Sequence, residues 1–171
     1  MSKTIAEFTA LNVAILTVSD KHTAASDTSG GWLKDAVAEA GHCVRDYTLV
    51  PDDRYRIRAV VSCWIASSDV QVVLINGGTG FNSKNSTPEA LLPLFDREIE
   101  GFGELFRMMS FEDIGTSTLQ SRATGGLANQ TLILAVPGST SACQLAWERI
   151  IRDQIDSRTR PCNFVSHVKK L

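Results

Sequence analysis

The stretch at residues 77–80 reads Gly-Gly-Thr-Gly and is a candidate ligand-binding loop. It directly follows a continuous aliphatic run at 72–75, which is typical of a strand covered on both faces. Glycine permits positive φ and leaves no side chain between the backbone and a ligand. Thr87 and Pro88 then predict the start of a helix. In open α/β sheets, ligands bind at such strand ends.

The alternative interpretation of this stretch is a tight turn without a ligand. It is neither a Walker A loop, since no Gly-Lys-Ser/Thr follows, nor a G-x-G-x-x-G loop. The other strand-to-helix junctions of the sequence help to distinguish a simple turn from a binding site.

Two further junctions repeat the plan of strand, polar loop and helix. The strand at 12–19 leads to Asp27, Thr28 and Ser29, with Thr28 or Ser29 as the predicted N-cap of a helix that begins near Gly30. The strand at 131–136 ends at Pro137-Gly138-Ser139. Helix N-termini favour anions because their N–H groups and dipole both attract negative charge. The alternative is that the residues before Gly30 only cap the helix.

The pattern of elements predicts one α/β domain. Aliphatic runs indicate strands at 12–19, 43–50, 69–76 and 131–136. Helical spacing of apolar residues indicates helices at 30–40, 54–66 and 102–114. Further helices are expected at 88–95, at 115–129, where small hydroxyl residues and a Gly-Gly indicate a helix that ends in a turn, and at 141–151. This order predicts a three-layer sandwich with a mainly parallel sheet, a short N-terminal extension and a basic surface tail at 156–171. The loops after the first, third and last strands are expected to open on one sheet edge.

Composition argues against several classes of protein. The net charge of −2 favours neither nucleic acid nor an anionic membrane as the main partner. The N-terminus does not resemble a secretory signal, and no apolar run is long enough to span a bilayer. No zinc-ligand spacing occurs. The sequence has four widely scattered cysteines, Cys43, Cys63, Cys143 and Cys162. Their spacing predicts reduced thiols and a cytoplasmic location for the protein.

Four motifs, taken together, resemble a known family. They are GGTG followed by TPEA, PDD at 51–53, Ser121-Arg122, and PGS at 137–139. In this order and spacing they resemble the molybdopterin-binding domain shared by MogA proteins and the G domains of plant Cnx and animal gephyrin proteins, from about residue 13 to 151. The resemblance implies a three-layer α/β sandwich that forms trimers or hexamers. It also implies that active members use Mg-ATP to adenylylate the terminal phosphate of molybdopterin, releasing pyrophosphate.

The resemblance also implies roles for individual residues. Asp52 matches a family carboxylate associated with magnesium and catalysis, whereas the second such position holds Asn85. A neutral amide is a poorer Mg²⁺ ligand than a carboxylate, so weak or absent adenylylation is expected while pterin binding is kept. The alternative is that Asn85 only shapes its loop and that Asp53 supplies the second carboxylate. The implied contacts to nucleotide, phosphate and pterin are Asp27, Ser29, Gly30, Gly77, Gly78, Thr79, Gly80, Ser121, Arg122, Pro137, Gly138 and Ser139.

Three functions therefore compete at the level of sequence. The first is a molybdopterin adenylyltransferase that uses ATP and Mg²⁺, and the second is a non-catalytic molybdopterin carrier of the same pathway. The third, a generic nucleotide-binding or methyl-transfer domain, lacks its usual G-x-G-x-x-G loop. A homo-oligomer is expected, with the Phe- and Met-rich segment 102–114 partly in the interface.

Overall fold

A six-stranded sheet forms the centre of the molecule, and its strands lie side by side in the order β2 (Cys43–Val50), β1 (Asn12–Val18), β3 (Val72–Asn76), β6 (Thr131–Val136), β5 (Thr124–Ala128) and β4 (Arg97–Glu98). A computed structural model describes residues 7–171, so the first six residues of the expected N-terminal extension lie outside the described range. The four strands β2, β1, β3 and β6 are parallel, whereas β5 forms an antiparallel hairpin with β6 and β4 pairs antiparallel with β5. The predicted α/β sandwich with a mainly parallel sheet is confirmed.

The elements follow one another with short connections. The strands are β1 (Asn12–Val18), β2 (Cys43–Val50), β3 (Val72–Asn76), β4 (Arg97–Glu98), β5 (Thr124–Ala128) and β6 (Thr131–Val136). The helices are α1 (Thr28–Glu39), α2 (Arg54–Ala66), α3 (Thr87–Leu91), α4 (Glu100–Ile114), α5 (Thr140–Ala146) and α6 (Arg152–Gln154). A π-helical turn at Trp147–Ile151 joins α5 to α6, and short 3₁₀ turns lie at Leu92–Leu94, Gly115–Gln120 and Phe164–His167.

The helices cover both faces of the sheet, which explains why β1, β3 and β6 are mostly apolar and buried along nearly their whole length rather than alternating. On one face, α1, α4 and α5 pack through residues such as Leu33, Phe106 and Ala146. On the other face, α2 and α3 pack through residues such as Ile57 and Leu91. The two buried layers hold the central strands rigidly, and the loops at their carboxyl ends are positioned by them.

The helix predicted at 115–129 is wrong. The segment forms a 3₁₀ turn and then β5, which pairs with β6 through a two-residue turn. Asn129 and Gln130 both have positive φ, 44° and 57°, as a type I′ hairpin turn requires. Gly126 is needed in β5 because a Cβ there would lie 2.4 Å from the ring of Phe95. The two glycines of β5, Gly125 and Gly126, are required by packing. They disguise the strand in the sequence, because a Gly-Gly pair is also typical of a turn.

Smaller departures occur elsewhere. The N-cap of α1 is Asp27, whose carboxylate accepts the Gly30 N–H at 2.9 Å, rather than Thr28 or Ser29. The basic tail does not simply lie on the surface. Val168 is buried, and the Lys169 ammonium donates to the carbonyls of Ile65 and Ser67 at 2.8 and 2.6 Å.

Candidate functional site

The loops after β1, β3 and β6 meet at one edge of the sheet and enclose a cleft of about 340 Å³. Parallel strands end at the same edge, so this meeting follows from their direction. The cleft is lined by Thr17, Val18, Ser19, His22, Asp27, Thr28, Ser29, Asn76, Gly77, Gly78, Gly138, Ser139 and Thr140. Of the predicted contacts, Asp27, Ser29, Gly77, Gly78, Gly138 and Ser139 line this cleft.

Gly77 and Gly78 form the floor between β1 and β3. Their φ values are +98° and +66°, which L side chains rarely adopt. A Cβ on Gly77 would also lie 2.1 Å from the Val18 carbonyl oxygen, and one on Gly78 would lie 2.3 Å from Thr87 Oγ1. The two glycines therefore let three chain segments come together at a point where any side chain would force them apart.

A buried carboxylate, Asp27, supports the wall of the cleft. Its Oδ2 accepts hydrogen bonds from Thr17 Oγ1 at 2.6 Å and from the Tyr47 hydroxyl at 2.5 Å. Asn76 in turn donates to Thr17 Oγ1 at 2.8 Å, which leaves the Thr17 hydroxyl proton for Asp27. Burial raises the pKa of Asp27, but the donors from Thr17, Tyr47 and Gly30 outweigh it and lower the pKa below its ordinary value.

The same contacts fix the protonation of Tyr47. Burial and then the hydrogen bond to Asp27 raise the pKa of Tyr47 to about 12, so its hydroxyl remains a donor at neutral pH. A glycine is also required beneath this network, since a Cβ on Gly30 would lie 2.1 Å from Asp27 Oδ2. Gly30 is therefore a structural neighbour of the cleft and does not line it.

Hydroxyl groups connect the first loop to the last. Ser29 Oγ donates to the Gly138 carbonyl at 3.0 Å and lies 3.1 Å from Thr140 Oγ1. Ser139 caps α5 by accepting the Ala142 N–H at 3.2 Å. The N-termini of α1 and α5 thus face the same cleft, and their dipoles add positive potential there.

Asp52 and Asn85 lie beside the cleft and contact each other. Asn85 Nδ2 donates to Asp52 Oδ2 at 2.8 Å, and Asp52 Oδ1 accepts from the Ser86 N–H and hydroxyl at 3.0 and 2.9 Å. A Cβ on Gly78 would lie 3.1 Å from Asp52 Oδ1, which places the carboxylate next to the floor of the cleft. Asp53, the alternative carboxylate, instead caps α2 by accepting from the N–H groups of Tyr55 and Arg56.

The donors around Asp52 do not suit the magnesium ion that the family resemblance implies. Mg²⁺ needs several oxygen ligands in octahedral geometry, usually including one or two carboxylates. Asp52 meets three N–H or O–H donors, and the group facing its second oxygen is an amide NH₂. Across residues 7–171, no three His, Cys, Asp or Glu side chains come together in a way that could hold a metal ion.

Arg122 holds the glycine loop from behind. Its guanidinium donates to the Gly80 carbonyl at 2.7 and 3.0 Å and to the Asn85 carbonyl at 3.0 Å, and it pairs with Glu89. Its backbone N–H donates to the Thr79 carbonyl at 3.1 Å. The side chain proposed from sequence as a ligand contact therefore fixes the conformation of residues 79–85 in this structure.

Ser121 and Pro137 lie in a second, smaller cavity of about 180 Å³ that shares Ser139 with the cleft. The Ser121 hydroxyl is buried and has no hydrogen-bond partner among the described residues. The structure thus divides the predicted contacts into cleft residues, a loop support and a neighbouring cavity.

Sequence reasoning missed Thr17, Asn76, Tyr47 and Thr140 as part of this region. Thr17 and Asn76 are polar residues near the carboxyl ends of otherwise apolar buried strands, which is a signal that was available in the sequence. Tyr47 gave no such signal, because it belongs to the partly exposed strand β2 and reaches Asp27 only through its register with β1.

Comparison with known proteins agrees with the four motifs. The family described as "Probable molybdopterin binding domain" matches residues 14–157. Molybdenum cofactor biosynthesis protein B of Escherichia coli K12 is 63% identical over 170 residues, which cover 99% of this chain and 100% of that protein. The protein of the same name from Bacillus subtilis 168 is 40% identical over 138 residues, covering 80% and 81%.

Solved structures show the same relation. A crystal structure of molybdenum cofactor biosynthesis protein B has a TM-score of 0.84 and 42% identity, covering 86% of this chain and 92% of that one. The tungsten cofactor synthesizing protein MoaB from Pyrococcus furiosus has a TM-score of 0.73 and 33% identity, covering 82% and 90%.

Proposed function

This chain belongs to the molybdopterin-binding family of the molybdenum cofactor biosynthesis proteins, and from that premise we propose that it binds molybdopterin with weak or absent adenylylation. One observation carries the proposal: hydroxyl groups, glycine backbone and two helix N-termini converge on a single cleft. A phosphate monoester is the part of molybdopterin that such a cleft suits.

The electrostatics of the cleft support an anionic ligand. Among the described residues, Asp27 is the only acidic side chain that lines it. Its carboxylate is turned to Thr17, Tyr47 and Gly30, so its charge is balanced by three donors rather than presented to the ligand. A phosphate in the cleft would therefore meet dipoles and hydroxyls of the favourable sign.

Binding is tested by titrating the purified protein with molybdopterin and following the pterin fluorescence. Ser139→Asp keeps an N-cap residue on α5 but adds a negative charge to the cleft, so affinity should fall at least about tenfold. Ser68→Asp, an exposed position before β3 at the opposite sheet edge, is the matched control. Equal affinity in all three proteins would contradict phosphate binding in this cleft.

The carrier and the adenylyltransferase are separated by a turnover assay with molybdopterin, ATP and Mg²⁺. Transfer requires close charge neutralisation of the reacting phosphates, and the donors facing Asp52 offer the ion a poor site. Tight pterin binding with little pyrophosphate release is therefore expected. Pyrophosphate release at the rate of an active family member would show that the chain is an adenylyltransferase.

A homo-oligomer, either a trimer or a hexamer, is proposed as the working form. Four large apolar side chains on α4 and the following 3₁₀ turn, Met108, Phe111, Ile114 and Leu119, are each more than half exposed. Large exposed apolar side chains on neighbouring segments are costly to leave in water, and a second copy of the chain would cover them. Phe111→Glu should lower the sedimentation coefficient, whereas Tyr55→Glu on α2, which is even more exposed in the single chain, should not.

We propose that the protein acts in the cytoplasm. All four cysteines are free thiols, and Cys43, Cys63 and Cys162 are exposed, which suits a reducing environment. Within residues 7–171, none of the helices has the length and apolar character needed to cross a membrane.

A further inference from the structure

The contact between Asp52 and Asn85 joins two loops that are far apart in sequence. One oxygen of Asp52 accepts from the Ser86 N–H and hydroxyl, and the other accepts from the Asn85 amide. A carboxylate has about four acceptor positions, so three are taken by donors from a single neighbouring loop. The carboxylate is thereby bound by the protein itself.

The orientation of the Asn85 amide is fixed by its other contacts. Its Oδ1 accepts the Asn82 N–H at 3.2 Å, so the NH₂ group must face Asp52. The backbone of Asn85 is held on both sides, since the Asn85 N–H donates to the Asn82 carbonyl at 2.8 Å and the Asn85 carbonyl accepts from the Arg122 guanidinium at 3.0 Å. A flipped amide would lose the Asn82 contact and bring its carbonyl oxygen against a carboxylate.

We propose that the Asn85 amide takes the place of a divalent cation at Asp52. The contact between the two loops then forms, and the cleft binds its anionic ligand, without a metal ion. The partial positive charges of the NH₂ group and of the two Ser86 donors stabilise the negative charge of Asp52 and offset part of its potential. A cation would have to displace these donors and would find only one carboxylate ligand, which is too little for Mg²⁺.

The contact between Asp52 and Asn85 lies next to the cleft and therefore affects ligand binding there. This part of the inference rests on the function proposed above. Asp52 Oδ1 lies close to Gly78, on the floor of the cleft. A carboxylate without donors there would repel a phosphate more strongly than Asp52 does, because the dipoles of its three donors lower the negative potential that reaches the cleft. The amide therefore serves the anion site in the way that a bound cation would.

Three proteins test the proposal: wild type, Asn85→Asp and the exchanged pair Asp52→Asn/Asn85→Asp. Asn85→Asp places two carboxylates in contact and should require a cation. The exchanged pair keeps one carboxylate and one amide and restores the hydrogen bond with reversed direction. Mn²⁺ binding is measured by the loss of the free Mn²⁺ signal in electron paramagnetic resonance, and thermal unfolding is measured in EDTA and in excess MgCl₂.

Wild type and the exchanged pair should bind Mn²⁺ only weakly and should each unfold at the same temperature with and without MgCl₂. Asn85→Asp should unfold about 4–8 °C lower in EDTA, recover in MgCl₂, and bind Mn²⁺ at least about tenfold more tightly than wild type. Mn²⁺ binding by wild type equal to that of Asn85→Asp, or an Asn85→Asp protein that ignores metal, would overturn the proposal.

A titration with inorganic phosphate separates this proposal from the proposed function. Wild type should bind phosphate equally in EDTA and MgCl₂, whereas Asn85→Asp should lose about tenfold in EDTA alone. Phosphate binding by wild type that requires MgCl₂ would overturn the inference about Asn85. If no variant binds phosphate while the Mn²⁺ results hold, the cleft function fails and the role of the amide stands.

Discussion

Replacing Asp27 by Asn tests whether the buried network at the cleft wall stabilises the fold. Asn caps helices as well as Asp does, so the bond from the Gly30 N–H is kept. The change acts on the other oxygen, where an NH₂ group would face the donors Thr17 and Tyr47. Thr17 already accepts from Asn76, which limits how its hydroxyl can turn.

The magnitude follows from these contacts. A hydrogen bond to a charged group contributes about 1.5–3 kcal/mol, and two are lost, with partial recovery when the Tyr47 hydroxyl rotates. We expect a loss of about 3 kcal/mol in the free energy of unfolding, or about 6–12 °C in Tm for a chain of this size. Asp35→Asn, an exposed position on the same helix, is the control and should change little.

The pH dependence gives an independent check. The folded pKa of Asp27 lies below its ordinary value of 3.8, so its stabilisation is fully present above that pH and is lost as pH falls through the folded pKa. The Tm difference between wild type and Asp27→Asn should therefore be constant from pH 7 to about pH 4 and shrink below that range. A difference under about 2 °C at pH 7, or one that grows in acid, would refute the reasoning.

Three other substitutions examine the loop, the tail and the chemistry. Arg122→Lys keeps the charge but loses the fork on the glycine-loop carbonyls, so hydrogen exchange at residues 79–86 should rise at least about tenfold; unchanged protection would contradict a supporting role. Lys169→Met removes donors from two strongly bound carbonyls and should cost about 2 kcal/mol in denaturant unfolding, unlike its exposed neighbour in Lys170→Met. Asn85→Asp should raise pyrophosphate release from Mg-ATP and molybdopterin by up to about 100-fold, with pterin affinity little changed; equal turnover would count against the amide as the cause of low activity.

The parallel core was predictable because its signals are local. A buried strand such as β3 consists of consecutive aliphatic residues, and Gly77 follows its last residue. The direction of parallel strands then places all three glycine and hydroxyl loops at one edge, with no need for side-chain detail. The α2 boundaries follow equally directly, since Asp53 is a strong N-cap and the apolar spacing is regular.

The remaining features depend on contacts that no local pattern records. Strand β5 has two glycines because the Phe95 ring and β6 pack against them, and the same letters fit the end of a helix equally well. The hydrogen bond between Asp52 and Asn85 spans 33 positions in the sequence, and the sequence showed only that an expected carboxylate was replaced. Arg122 is a similar case, because its role is decided by which carbonyls lie within reach.

The acidic residues of this region share one property that connects the fold to its proposed use. Asp27 is bound by Thr17 and Tyr47, Asp52 by Asn85 and Ser86, and Glu89 by Arg122. Each carboxylate thus acts as an internal acceptor that fixes a loop, and none is left to face the cleft as a bare charge. A transferase needs carboxylates that hold a metal ion against the reacting phosphates. A site whose carboxylates are all engaged in this way is suited to hold a phosphate in place, which is the property that a carrier of molybdopterin requires.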